Sequence, residues 1–183
     1  QVRGIHDVLI KNGFSTIIYN TENDESKEKE ALQMCLDQQV DGIVLMPNSM
    51  NCEYYTKIHN SGTPIVMYNR YRESWKYDGV YINNAALTSN ALVHMFNNKY
   101  EKIAFLTDNI YKASNKTFRE EAFIDFANKY MGLSGRKLIF VIENQIQAND
   151  AISNFIEMYP SERKGLFAIN SDTLFFTIKA INS

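Results

Sequence analysis

The sequence predicts an α/β fold of parallel, doubly wound sheets with helices on both faces. Three observations carry the prediction. Short β-branched runs alternate with helical patterns along nearly the whole chain. Several of those runs lack the apolar/polar alternation of a half-exposed strand, as parallel strands covered on both faces do. The segments between most runs are long enough for right-handed crossover helices.

In order, Gln1–Phe14 places Val2, Ile5, Val8 and Leu9 at helical spacing, and Gly13 is where that helix stops. Thr16–Tyr19 reads as a strand. Glu25–Gln39 is a helix with Ala31, Leu32, Cys35 and Leu36 on one face and acidic residues early. Gly42–Met46 is a strand, Cys52–Asn60 a short helix and Pro64–Tyr68 a strand. Between Tyr68 and Ile82 the pattern changes. A polar and aromatic loop carrying Tyr71, Trp75 and Tyr77 leads to a strand at Gly79–Ile82, and the chain passes into a second lobe near Asn83-Asn84. Helices then follow at Ala85–Asn97, Thr117–Tyr130, Gln147–Tyr159 and Asp172–Asn182, with strands at Lys102–Thr107, Lys137–Ile142 and Gly165–Ile169.

Bulk properties exclude several classes. A net charge of −2 over 183 residues does not mark the chain as a nucleic-acid binder in its own right. The longest apolar runs, such as Ile43–Met46, are too short to cross a bilayer, so no membrane partner is expected. Cys35 and Cys52 have no metal or redox spacing and are expected to be reduced thiols of a cytoplasmic protein. His6, His59 and His94 are scattered on helices with no partner at metal spacing. Neither a nucleophile elbow nor a glycine-rich phosphate loop is present. The expectation is a protein without enzymatic activity, metal or cofactor.

In open parallel sheets, ligands bind beyond the carboxyl ends of the strands. Here those ends are 20–23, 47–51, 69–72, 108–115, 143–145 and 170–172, rich in Asn, Asp, Ser and Arg, with Tyr71 and Tyr111 among them. Polar forks beside aromatic rings suit a sugar-like or nucleoside-like ligand. Surface loops are polar in any protein, so this observation alone leaves both readings open.

Six segments in register carry a resemblance to a known family. They are Gly13–Thr21 with the acidic helix after it, Gln39–Pro47, Ser61–Arg70, Asn83-Asn84 with Lys102–Leu106, Arg119–Phe123 and Asn170-Ser171-Asp172. Together they resemble the LacI/GalR transcription regulators over essentially the whole chain. The resemblance implies a two-lobed, periplasmic-binding-protein-like type I fold, incomplete here. Residues 1–82 would form the N-terminal lobe without its first strand, and 83–183 part of the C-terminal lobe. It further implies a small-molecule effector, a homodimer, and operator DNA contacted through a helix-turn-helix headpiece that this chain lacks. The sequence is therefore expected to be truncated at both ends. A sugar-binding protein of an ABC importer shares the fold and is the alternative.

The resemblance also assigns residues. Arg119 matches an arginine that reaches from a C-lobe helix to ligand hydroxyls or carboxylate, as its fixed donor fork suits. Ala122 stands where the family has glycine. Asp172 either accepts from ligand hydroxyls or caps its helix, and Ser171 is its neighbouring candidate. Asn69 and Arg70 lie at a cleft-facing strand end, where Arg70 either binds ligand or holds the inter-lobe passage. Tyr71 and Tyr111 are candidates to stack on a ring. Asn48 and Asn109 complete the set as strand-end residues.

Overall fold

The computed structural model describes residues 2–48, 52–70, 72, 74–108, 114–132 and 134–182. The chain divides into two compact units, Gln1–Val66 and Met67–Ser183. The sequence reading places the lobe boundary further on, between residues 82 and 83.

The first unit opens with α1 (Val2–Lys11), whose described residues are all at least partly exposed, then α2 (Glu25–Asp37), β1 (Ile43–Leu45) and α3 (Cys52–Asn60). Asp24 starts α2 by accepting the Ser26 and Lys27 N–H groups, which satisfies two of the first turn's orphan donors. β2 (Ile65–Tyr68) and β3 (Asp78–Val80) extend β1 into a sheet of order β1-β2-β3.

Two expectations change here. Thr16–Tyr19 is not a strand, and Ile17 and Ile18 are exposed. A β-branched run becomes a strand only by pairing its backbone, and this one joins neither sheet among the described residues. β1 and β2 are also not covered on both faces: Val44 and Val66 point to solvent between buried neighbours. The last strand of this sheet lies at Asp78–Val80 rather than Gly79–Ile82.

The second unit contains α4 (Asn84–Asn97), β4 (Lys102–Thr107) and α5 (Ser114–Tyr130). A 3₁₀ turn at Gly135–Leu138 precedes β5 (Ile139–Val141), which is shorter than the sequence run predicted. α6 (Gln145–Met158), β6 (Lys164–Ala168) and α7 (Ser171–Ile181) follow. The sheet order is β5-β4-β6, with both pairings parallel. The chain steps from β4 to β5 in one direction and back past β4 to β6 in the other. Right-handed crossovers therefore put α5 and α6 on opposite faces, and the helices pack in the pairs α4–α5 and α6–α7.

This arrangement buries the central strand from Ile103 to Thr107. Ile103, Ala104, Phe105 and Leu106 are all at 0% exposure. The Phe105 ring lies 4.9 Å from Phe123 on α5 and 5.5 Å from Phe167, its register partner on β6, nearly parallel to the latter. Burying an aromatic side chain of this size contributes about 2–3 kcal/mol. Because the strands are parallel, their carboxyl ends at Thr107, Val141 and Ala168 emerge along one edge of the sheet.

Candidate functional site

Three strand ends and the helices that follow them build a candidate polar site in the second unit. The Ile142 N–H donates to the Thr107 carbonyl at 2.6 Å, and the Ile169 N–H to that of Leu106 at 3.0 Å. These bonds carry the ladder one step past the strands and fix where the loops depart. Asp108, Ile142, Glu143, Asp172, Thr173 and Phe176 line a hollow of about 360 Å³ at this edge.

Its polar wall is organised around Asp108. One carboxylate oxygen accepts from Asn170 Nδ2 at 3.0 Å, and the other is paired with Lys116. Asn170 also starts α7 through a capping box. Its Oδ1 accepts the Thr173 N–H at 2.9 Å, while Thr173 Oγ1 accepts the Asn170 N–H at 3.2 Å. The cap is therefore Asn170, not Asp172. That leaves the Asp172 carboxylate exposed in the first turn, on the wall of the hollow, where the helix dipole favours its charge. Ser171 is exposed beside it.

Arg119 sits on α5, half-buried. Its Nε donates to Asn84 Oδ1 at 2.9 Å and its Nη1 to the Ile169 carbonyl. Partial burial pulls its pKa below the ordinary arginine value. Asn84 is buried and donates in turn to the Ile82 carbonyl at 3.1 Å. Arg119 thus braces the start of α4 against the end of β6, next to the hollow and not among its lining residues. A guanidinium has more donors than the two engaged here.

The remaining candidates are distributed. Asn69 follows β2 in the left-handed region at φ 63°, with its N–H on the Val80 carbonyl at 3.0 Å. Arg70 is half-buried, and its N–H donates to the Tyr68 carbonyl at 2.7 Å. Asn48 belongs to the first unit. Its N–H donates to Glu28 Oε2 at 2.6 Å and its Nδ2 to Thr21 Oγ1 at 2.6 Å. Tyr71, Tyr111 and Asn109 lie outside the described residues. Of the sequence candidates, the structure gathers Asp172, Ser171 and Arg119 around the end of β6. Among the described residues no three His, Cys, Asp or Glu side chains form a metal-binding group. No helix among them is long and apolar enough to cross a membrane.

Sequence reasoning assigned no role to Asp108, Lys116, Asn170 or Asn84, although Asp108, Asn84 and Asn170 lie in segments it singled out. The Asn170-x-x-Thr173 spacing is a readable capping signal. Asp108 was visible only as the first residue past β4, since its partners come from 8 and 62 residues away in sequence.

No family model matches the chain. Sequence relatives do. The chain is 27% identical over 157 residues to a probable HTH-type transcriptional regulator, EndR, of Paenibacillus polymyxa, covering 85% of this chain and 45% of the relative. It is 23% identical over 170 residues to the HTH-type transcriptional regulator KdgR of Bacillus subtilis, covering 92% and 50%. The chain thus spans about half the length of these relatives, each described as a transcriptional regulator. Among solved structures, a LacI family transcriptional regulator from Lactobacillus casei with bound glucose superposes over 99% of this chain and 68% of its own, with a TM-score of 0.77 at 20% identity. In sequence this chain is similar to HTH-type transcriptional regulators, and in backbone it shares the α/β fold of a LacI family regulator.

Proposed function

We propose that the chain is the effector-sensing portion of a LacI/GalR-type transcription regulator, and that it binds a sugar or sugar derivative. The observation that carries this reading is the hollow at the carboxyl ends of β4, β5 and β6, walled by Asp108, Glu143 and Asp172. Ligands of open parallel sheets bind at such an edge, and carboxylates there accept from sugar hydroxyls. A structural relative of the same fold has glucose bound. In this reading Asp172 and Ser171 meet the effector directly, and the unengaged donors of Arg119 reach it beside them. The lobes of this reading are residues 1–82 and 83–183, and Asn48, Asn69 and Arg70 are the ligand candidates of the first. The full regulator would be a cytoplasmic homodimer that reaches operator DNA through a headpiece. The curated relatives favour this over the importer reading, as both are described as transcription regulators.

Thermal-shift titration with a panel of neutral sugars, sugar phosphates and nucleobases tests the assignment. A ligand at 100 times its Kd stabilises by about 2.7 kcal/mol, which is a measurable shift. The expected result is a rise in Tm with a sugar that falls away in Asp172→Asn. A shift that is undiminished in that variant refutes the site, and a panel without any hit among sugars refutes the ligand class.

A further inference from the structure

Among the described residues of the first unit, one carboxylate is buried. Glu28, in the first turn of α2, is 1% exposed, and two donors from outside its helix converge on it. The Asn48 N–H donates to Oε2 at 2.6 Å and the Tyr55 hydroxyl of α3 to Oε1 at 2.5 Å. The bonds continue into a closed ring. Asn48 Nδ2 donates to Thr21 Oγ1 at 2.6 Å, the Asp24 N–H to the Thr21 carbonyl at 2.8 Å, and the Glu28 N–H to the Asp24 carbonyl at 3.0 Å. The ring thus joins the turn before α2 to the loop after β1. The turn itself holds Glu22 and Asn23 in the left-handed region, at φ 51° and 58°. Non-glycine residues adopt that conformation at a cost and keep it only when their surroundings fix it.

Packing alone does not call for an acid at this position. Taking a carboxylate out of water costs several kcal/mol, and an apolar side chain of similar volume often serves stability as well or better. What Glu28 supplies and a hydrocarbon cannot is a pair of acceptors at fixed positions.

We propose that Glu28 is a positioning residue, whose buried carboxylate ties the Asn48 N–H and the Tyr55 hydroxyl together and so sets the loop edge that carries Thr21 and Asn48. That this edge faces an effector rests on the function proposed above. The positioning itself does not, and it is tested without ligand.

The test is amide hydrogen exchange of the full chain by NMR, comparing Asn48 with Ile43, whose N–H is bonded to the Pro64 carbonyl within the first sheet. Glu28→Met keeps the volume and removes both acceptors. Asn48 exchange is expected to accelerate at least tenfold while that of Ile43 stays within twofold of wild type. Glu28→Gln retains an acceptor for Asn48 and offers an amide N–H to the Tyr55 oxygen, so it restores slow exchange at Asn48. Should Glu28→Met not fold, Tyr55→Phe keeps the carboxylate and frees one anchor, and Asn48 exchange is expected to rise about threefold. Asn48 and Ile43 accelerating in step would make Glu28 a contributor to overall stability only. Unchanged exchange at Asn48 would remove the contact altogether. Either result overturns the proposal. Loss of sugar binding with the exchange pattern intact would instead count against the function proposed above.

Discussion

Arg119 and Asn84 lie 35 residues apart in sequence and meet through a 2.9 Å bond from Nε to Oδ1, while the same guanidinium holds the Ile169 carbonyl. One side chain therefore links the first turn of α4, α5 and the end of β6. Removing it leaves a buried amide oxygen and a strand-end carbonyl without their donor. Arg119→Ala is expected to cost about 1–2 kcal/mol in urea unfolding, toward the low end for hydrogen bonds to charged groups because Arg119 is only half-buried. Arg119→Lys recovers little of it, since a single ammonium lacks the planar fork that reaches both acceptors. A lysine variant as stable as wild type would show that the fork geometry is not used.

Asn170 serves two partners at once, the N-terminus of α7 and the Asp108 carboxylate. Asn170→Ala loses both and is expected to destabilise by about 1–2 kcal/mol. Asn170→Ser keeps a capping oxygen but not the amide donor to Asp108, and should recover roughly half. Chemical denaturation of the three proteins separates the two contributions.

Gly135 is set against α5. A Cβ there would lie 2.8 Å from the Ile124 Cα and 3.0 Å from the Ala127 Cβ, and backbone cannot move aside as a flexible side chain can. Gly135→Ala is expected to cost about 1–3 kcal/mol through overpacking, read as a lowered Tm. An unchanged Tm would mean that the 3₁₀ turn is free to shift away from the helix.

Asp24 carries the acid limb of the first unit. The Lys27 and Ser26 N–H groups hold its carboxyl below the ordinary aspartate value. A pKa depressed by folding contributes stability above the unfolded-state value, and that contribution is lost as pH falls through the folded-state value. Asp24→Ala should therefore be less stable than wild type at neutral pH. The two stability curves should converge below about pH 4, the range of an unperturbed aspartate. Parallel curves from pH 7 to pH 3 would show that the cap does not depend on charge.

The sequence made the second unit more legible than the first, for physical reasons. β4 was predicted to the residue because Ile103–Leu106 is an unbroken apolar run, buried on both faces, between Lys102 and Thr107. α3 was likewise placed at Cys52–Asn60. Thr16–Tyr19 has the composition of a strand, but strand formation depends on a neighbour, which composition does not encode. At the site, Arg119 and Asp172 were recognisable from resemblance to regulators. Their surroundings were not, because Asp108, Lys116 and Asn170 come together only once α5 and α7 are docked at the sheet edge. Glu28 stood inside an acidic run that reads as a solvated helix face, and only the approach of Asn48 and Tyr55 reveals it as buried.

The strand order of the second sheet has a consequence for synthesis. β4 lies between β5 and β6, and both come later in the chain. As the polypeptide leaves the ribosome, at about 5–20 residues per second, Ile103–Leu106 is made several seconds before the second of its flanking partners. During that interval this apolar, fully buried stretch has no native neighbour on its β6 side. A nascent chain halted before Lys164 would present it to chaperones, and vectorial folding of this unit reaches completion only when β6 arrives.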